Sequence, residues 1–160
     1  AYQAVVWGIP PRPVGTIEAS LGRSNSDRTK RTVVPAGRAD ARHAVTHYEV
    51  LERFGDETVS ASLVGCVLET GRTHQIRVHM AHIGHPLIGD ETYGAHFRSK
   101  ARKLGPASEA IGGFPRQALH AFRLAFEHPV SGEPMEFETD LPQDMVELVE
   151  AFRHFRSDAA

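Results

Sequence analysis

The sequence predicts an α+β fold, and three observations carry that expectation. Strand-like runs follow one another instead of alternating with helices, only two segments show helical apolar spacing, and one of those two closes the chain. Strands alternating with helices would have pointed to a doubly wound parallel sheet. No internal repeat is present.

Residues 4–8 read as a short strand, ended by the loop Ile9-Pro10-Pro11-Arg12-Pro13, and residues 14–19 as another. From 22 to 42 the chain is polar and basic, with Arg23, Arg28, Lys30 and Arg31 and no helical period, so a long surface loop is expected. Residues 44–54 and 58–69 are rich in Val, Thr and Tyr and flank Gly55-Asp56, the pattern of a hairpin. In its first arm Val45, His47, Glu49 and Leu51 should share one face, opposite Thr46, Tyr48 and Val50. Gly71-Arg72-Thr73 marks a strand-to-helix junction with Thr73 as the expected N-cap, and Ile76, Met80 and Ile83 recur at helical spacing up to Gly84. Residues 85–116 read as loop-rich, with Gly and Pro spaced through them, and 117–127 and 135–139 as two strands joined through His128-Pro129 and Gly132. Pro142 suits the first position of a closing helix, whose stripe of Met145, Leu148, Val149, Phe152 and Phe155 is core packing.

Composition narrows the class. A chain of 160 residues, 41% apolar and 24% charged, forms one domain with a real core. No run approaches the roughly 20 apolar residues that span a bilayer, and no signal peptide opens the sequence. The single cysteine, Cys66, lies in an apolar run and reads as a small buried hydrophobe, which fits a cytoplasmic, reducing setting. The net charge of −2 hides an asymmetry: residues 1–69 sum to zero, 70–123 to +5 and 124–160 to −7. The middle third thus offers the local positive potential that a phosphate surface needs, though scattered solvating Arg and Lys would give the same count.

Chemistry concentrates in residues 69–94, where Arg72, His74, Gln75 and Arg77 crowd a helix start that favours a phosphate or a carboxylate. On the inward face, beside Ile76 and Met80, Arg77 would be expensive to bury without a partner; an exposed arginine is the plainer alternative. His79, His82, His85 and Asp90 raise a metal-dependent hydrolase as a rival, but Gly84-His85-Pro86 should break the helix before His85 joins the set. No Gly-x-Ser-x-Gly elbow, paired-cysteine pattern or glycine-rich nucleotide loop occurs.

The segment Thr70-Gly71-Arg72-Thr73-His74-Gln75-Ile76-Arg77, continuing into Gly84-His85-Pro86 and Gly89-Asp90-Glu91-Thr92-Tyr93-Gly94, resembles the signature of the RluA-type RNA pseudouridine synthases. Tyr2 to Gly8 is similar to that family's tyrosine-bearing strand, and Arg116 to Ala121, followed by His128-Pro129, to its late strand motif. Residues 44–48 and 142–145 look most like the RluD-like and RluC-like enzymes that act on large-subunit ribosomal RNA. The resemblance implies a mixed, mostly antiparallel sheet with flanking helices, conversion of uridine to its C-glycoside isomer, and neither metal nor organic cofactor. It further implies that Tyr2 stacks on the flipped uracil and abstracts a proton, that Arg77 pairs with a nucleophilic aspartate, and that Leu119 lines the uracil pocket. Arg72, His74 and Gln75 are expected around the substrate, chiefly shaping the helix start; Arg28, Lys30, Arg31, Arg98, Lys100, Arg102 and Lys103 are expected to meet RNA phosphates.

The family's nucleophile lies in a His-Arg-Leu-Asp motif, and none of the seven aspartates here follows Arg-Leu. By resemblance that motif would fall before Ala1, as would any S4-like RNA-binding module. Residues 1–160 therefore read as the carboxyl-terminal portion of one catalytic domain, from a fragment or truncation, and as inactive alone. The intact enzyme is expected to be a monomer that takes ribosomal RNA as its partner and no membrane. A non-catalytic RNA-binding module that kept the platform is the second rival.

Overall fold

In the computed structural model, which describes residues 1–159, Tyr2–Trp7 form β1, a strand buried on both faces. Ala4 and Val6 face one layer, Val5 and Trp7 the other, and each is at most 2% exposed. A strand apolar on both sides belongs at the centre of a sheet covered twice. The other strands are β2 (Val14–Glu18), β3 (Leu21–Arg23), β4 (Arg31–Val33), β5 (Val45–Gly55), β6 (Ser60–Leu68), β7 (Leu119–Ala121), β8 (Arg123–Glu127) and β9 (Pro134–Glu138). Helices α1 (Gln75–His82), α2 (Ser108–Gly112) and α3 (Gln143–Ala159) complete the set, with a run of 3-10 turns over Ala95–Ala107.

The main sheet has the order β2-β5-β6-β1-β7, and every ladder described in it is antiparallel, as the α+β expectation requires. On one face Ala4, Val6, Tyr48, Val64 and Cys66 pack beneath Ile76 and Met80 of α1. On the other, Val5, Trp7, Phe54 and Leu63 meet α3, α2 and the 3-10 run. The closing helix buries Met145, Leu148, Val149 and Phe152, with Phe155 half-buried; Phe152 stacks on Phe54 at 5.5 Å and meets Trp7 edge-on at 6.3 Å. Burial pushes the Cys66 thiol up to about 12, so it packs as an apolar side chain. Among the described residues no helix is long and apolar enough to cross a membrane.

Four expectations need correction. Residues 22–42 are not loop throughout: β3 and β4 pair as a hairpin. The alternation of β5 ends at a bulge between Val50 and Glu52, which leaves Leu51 unpaired and exposed. The stretch 117–127 is two strands: it breaks at Phe122, where Phe122 and Arg123 both donate to Ala1 O, so β7 joins the main sheet while β8 pairs only with β9. The N-cap of α1 is His74, not Thr73. The chain enters that helix through a left-handed residue (φ 57°, ψ 21°), a conformation histidine adopts more readily than threonine, and no side-chain cap forms.

Candidate active site

The start of α1 is held by an amide. Gln75, 3% exposed, accepts from Thr70 Oγ1 at 2.8 Å and Arg72 N at 2.9 Å, and donates to Val45 O and Thr46 Oγ1, both at 3.0 Å. That uses both carbonyl lone pairs and both N–H bonds. Gln75 therefore fastens the helix to β5 and has nothing left to offer a substrate. The network continues inward: Thr46 Oγ1 lies 2.8 Å from His79 Nδ1, and His79 Nε2 lies 2.9 Å from Ala19 O. With both ring nitrogens so engaged, His79 does not converge with His82 and Asp90 as a metal site requires.

Arg77, on the first turn of α1, forms a fork with Asp90: Nε to Oδ2 at 2.8 Å and Nη2 to Oδ1 at 3.0 Å. The Asp90 side chain is fully buried and that of Arg77 only 13% exposed. Asp90 Oδ1 also accepts the backbone N–H groups of Thr92 and Tyr93, both at 3.1 Å, so one carboxylate ties the loop to the helix. These hydrogen bonds hold the guanidinium more firmly charged than usual, against the opposing effect of burial. The sequence sought the carboxylate partner of Arg77 outside the chain; the structure supplies one within it. The third guanidinium nitrogen, Nη1, donates to no group among the described residues.

Tyr93 joins this constellation. Its ring lies 5.0 Å from the Arg77 guanidinium carbon. Its hydroxyl accepts the Arg31 backbone N–H at 2.9 Å and sits 2.7 Å from His74 Nδ1. Burial, then the charges of Arg77 and Arg31, lower the His74 pKa, which keeps the ring neutral and leaves Nδ1 to accept the Tyr93 proton.

Beside these groups lies a cavity of about 250 Å³. Apolar Leu68, Ile76 and Leu119, together with Tyr2, Arg72, His74, Gln75 and Arg77, line it. All six residues that the resemblance put at or near the substrate thus meet at one place. Tyr2 and Leu119 arrive on adjacent strands, β1 and β7, where Ala4 pairs with Leu119 and Tyr2 with Ala121. Leu119 is set by Arg116, whose Nη1 donates to the carbonyls of Gln117 and Leu119, both at 3.1 Å. Arg116 in turn forks onto Asp144 of α3 with two bonds of 2.9 Å, which also holds that carboxyl below its usual range. No carboxylate among the described residues lines the cavity.

The expected phosphate contacts separate into two groups. Arg28 and Lys30 lie in the turn of the β3–β4 hairpin and Arg31 in β4, which packs against α1. Arg98, Lys100, Arg102 and Lys103 lie in the 3-10 run, anchored through Ala101 and Leu104 in the opposite layer, and none lines the cavity. Sequence reasoning missed Asp90 as the partner of Arg77, Tyr93 as the hub, and Arg116 as the brace of Leu119. The signal was present for the first two, since both stand in the same 26-residue segment at fixed distance from Arg77.

Residues 1–82 match the sequence profile of the family described as RNA pseudouridylate synthase. The chain is 47% identical over 152 residues to ribosomal large subunit pseudouridine synthase D of Vibrio cholerae, covering 95% of this chain and 44% of that protein. To the enzyme of the same name from Pseudomonas aeruginosa it is 45% identical over 155 residues, covering 97% and 46%. The solved structure of human RNA pseudouridylate synthase domain containing 1 superposes with a TM-score of 0.64 at 28% identity, covering 95% of this chain and 64% of that one. The chain spans less than half the length of these two curated relatives.

Proposed function

The chain belongs to the RNA pseudouridylate synthase family, and from that premise we propose that it supplies the uracil-binding and arginine-bearing part of a site that isomerises uridine to pseudouridine in large-subunit ribosomal RNA. The observation that carries this reading is the meeting of Tyr2, Arg77 and Leu119 around one small, largely apolar cavity. A base leaving its helix loses stacking on both faces, and an aromatic ring flanked by aliphatic side chains replaces it.

The reaction breaks the N1–C1′ bond, forms the C5–C1′ bond, releases the C5 proton and protonates N1. It is redox-neutral and balances without a co-reactant. In this reading the Tyr2 hydroxyl accepts the C5 proton. Arg77 is held on one edge by Asp90, which leaves Nη1 for a second carboxylate, that of the nucleophile. No carboxylate among the described residues lines the cavity, which supports the reading that the nucleophile belongs to another part of the intact enzyme and that residues 1–160 alone do not turn over.

Tritium release from ribosomal RNA labelled at uracil C5 tests this. The purified chain should release none, whereas a polypeptide that also carries the His-Arg-Leu-Asp segment should, and Tyr2→Phe should abolish that release. Turnover by residues 1–160 alone would refute the shared-site reading. Absence of turnover with the added segment would favour an RNA-binding module instead.

A further inference from the structure

Next to the uracil-sized cavity, and sharing Arg72 with it, lies a second one of about 420 Å³. Arg23, Arg31, Arg42 and Arg72 line it, with Thr73 and a single acid, Asp40. Asp40 is already claimed: Arg38 forks onto it through Nε at 2.5 Å and Nη2 at 2.7 Å, and the Arg23 backbone N–H donates to it at 3.0 Å. Asp40 and Arg38 cancel, whereas none of the four lining arginines is ion-paired with a carboxylate among the described residues. Four arginines without a paired carboxylate among the described residues therefore line one cavity; the only partners of the Arg31 and Arg42 guanidinium groups among those residues are the neutral carbonyls of Arg28 and Ala41.

The backbone sets this crowding. Arg23 and Arg31 stand directly opposite each other across the β3–β4 ladder, a pairing of like charges that weakens a hairpin. On the other side of β3, Arg42 is brought in by a bridge to Leu21. The Arg72 Nε donates to His43 O at 2.9 Å, and the Arg31 backbone is tied to Tyr93. A free chain bears the repulsion of this arrangement; a polyanion relieves it. Guanidinium groups suit phosphate oxygens in particular, through paired parallel N–H bonds.

We propose that this arginine groove holds the phosphodiester backbone next to the uridine bound between Tyr2 and Leu119, with Arg72 joining the base cavity to the backbone track. The inference rests on the reading of the first cavity as a uracil site. It adds Arg42 to the RNA-binding surface and moves the principal backbone contacts from the turn carrying Arg28 and Lys30 into the groove.

The test is fluorescence anisotropy of this chain with a short labelled single-stranded RNA containing one uridine, titrated at graded KCl. Removing one phosphate-neutralising cation should flatten the dependence of log K on log salt by about 0.7. Arg23→Gln and Arg42→Gln should each weaken binding and flatten the slope by that amount, whatever the flanking bases. Arg42→Lys should keep the slope, and Arg12→Gln, in an exposed loop outside the groove, should change nothing. Tyr2→Ala should lower affinity with the slope intact. Groove variants with the parent slope overturn the groove. Tyr2→Ala without effect, beside flattened groove variants, overturns the uracil cavity and leaves the groove. A parent chain that does not bind the RNA removes both.

Discussion

Replacing Asp90 by asparagine preserves shape and removes one charge from the best-enclosed ion pair of the chain. Asp90 accepts four hydrogen bonds, two from Arg77 and one each from the backbone of Thr92 and Tyr93. An asparagine oxygen in the place of Oδ1 can still meet three of these donors, but its NH2 then faces the fourth, Arg77 Nε. With the Asp90 side chain fully buried and that of Arg77 only 13% exposed, the guanidinium would keep its charge with no counter-ion and little water. Breaking one side of a buried pair costs about 3–5 kcal/mol. For a chain of this length that corresponds to a fall in Tm of roughly 6–20 °C. Urea unfolding of parent and variant, with matched m-values, measures it directly. In a cycle with Arg77→Gln the two losses should not add, since the second change removes the charge that the first had stranded. A cost below about 1 kcal/mol would mean that the pair behaves as a surface ion pair, and Asp90 could not then be the anchor of Arg77.

Three further outcomes follow from the same contacts. The His74 and His79 rings both have pKa values below the usual one, chiefly through burial, so the unfolded chain binds protons below about pH 6.5 that the folded chain refuses. Stability should therefore fall as pH drops from 7 towards 5, by up to about 1.4 kcal/mol per pH unit for each ring; His79→Gln should make the decline shallower, and a flat profile in the parent would contradict the assignment. Gly89 has φ +79°, and a Cβ there would come within 1.9 Å of Arg116 O. Gly89→Ala should cost about 2 kcal/mol or more in chemical denaturation, from left-handed strain together with overpacking. Arg116→Gln should lose about 1 kcal/mol or less, because its pair with Asp144 is part-exposed, yet it should weaken uridine-RNA binding by releasing Leu119; unchanged affinity would remove the bracing role.

What could be read without coordinates depended on the range of the signal. The hairpin of β5 and β6, the stop at Gly84 and the stripe of α3 rest on neighbours in sequence, and the fold keeps them with shifts of a residue or two. The bulge at Leu51 and the break at Phe122 depend on which strand lies alongside, and periodicity carries no such information. The N-cap was misplaced because a Ser/Thr rule presumes an ordinary approach to the helix, whereas here Gln75 reaches back to hold the loop and His74 takes the left-handed turn. In the site, the resemblance named Tyr2, Arg77 and Leu119, and the structure brings the three to one cavity. The Asp90 partnership was not, since a buried arginine announces that it needs a carboxylate without indicating which one.

The position of β1 bears on how the site comes into being. Its first neighbour, β6, follows it by more than fifty residues; its second edge is bonded by residues 86–88 beside Val5 to Trp7 and, beside Tyr2 to Val5, by residues 118–121. A ribosome adding about 5–20 residues per second leaves Tyr2 without Leu119 for roughly 6–25 s of synthesis. Pairings of such long range also make assembly slow, in the millisecond-to-second range once the chain is complete. The cavity between Tyr2 and Leu119 thus cannot close before residue 119 has been made. Substitutions that delay β7, such as those at Gly89 or Arg116, should lower the yield of competent protein before they alter the chemistry of what does fold.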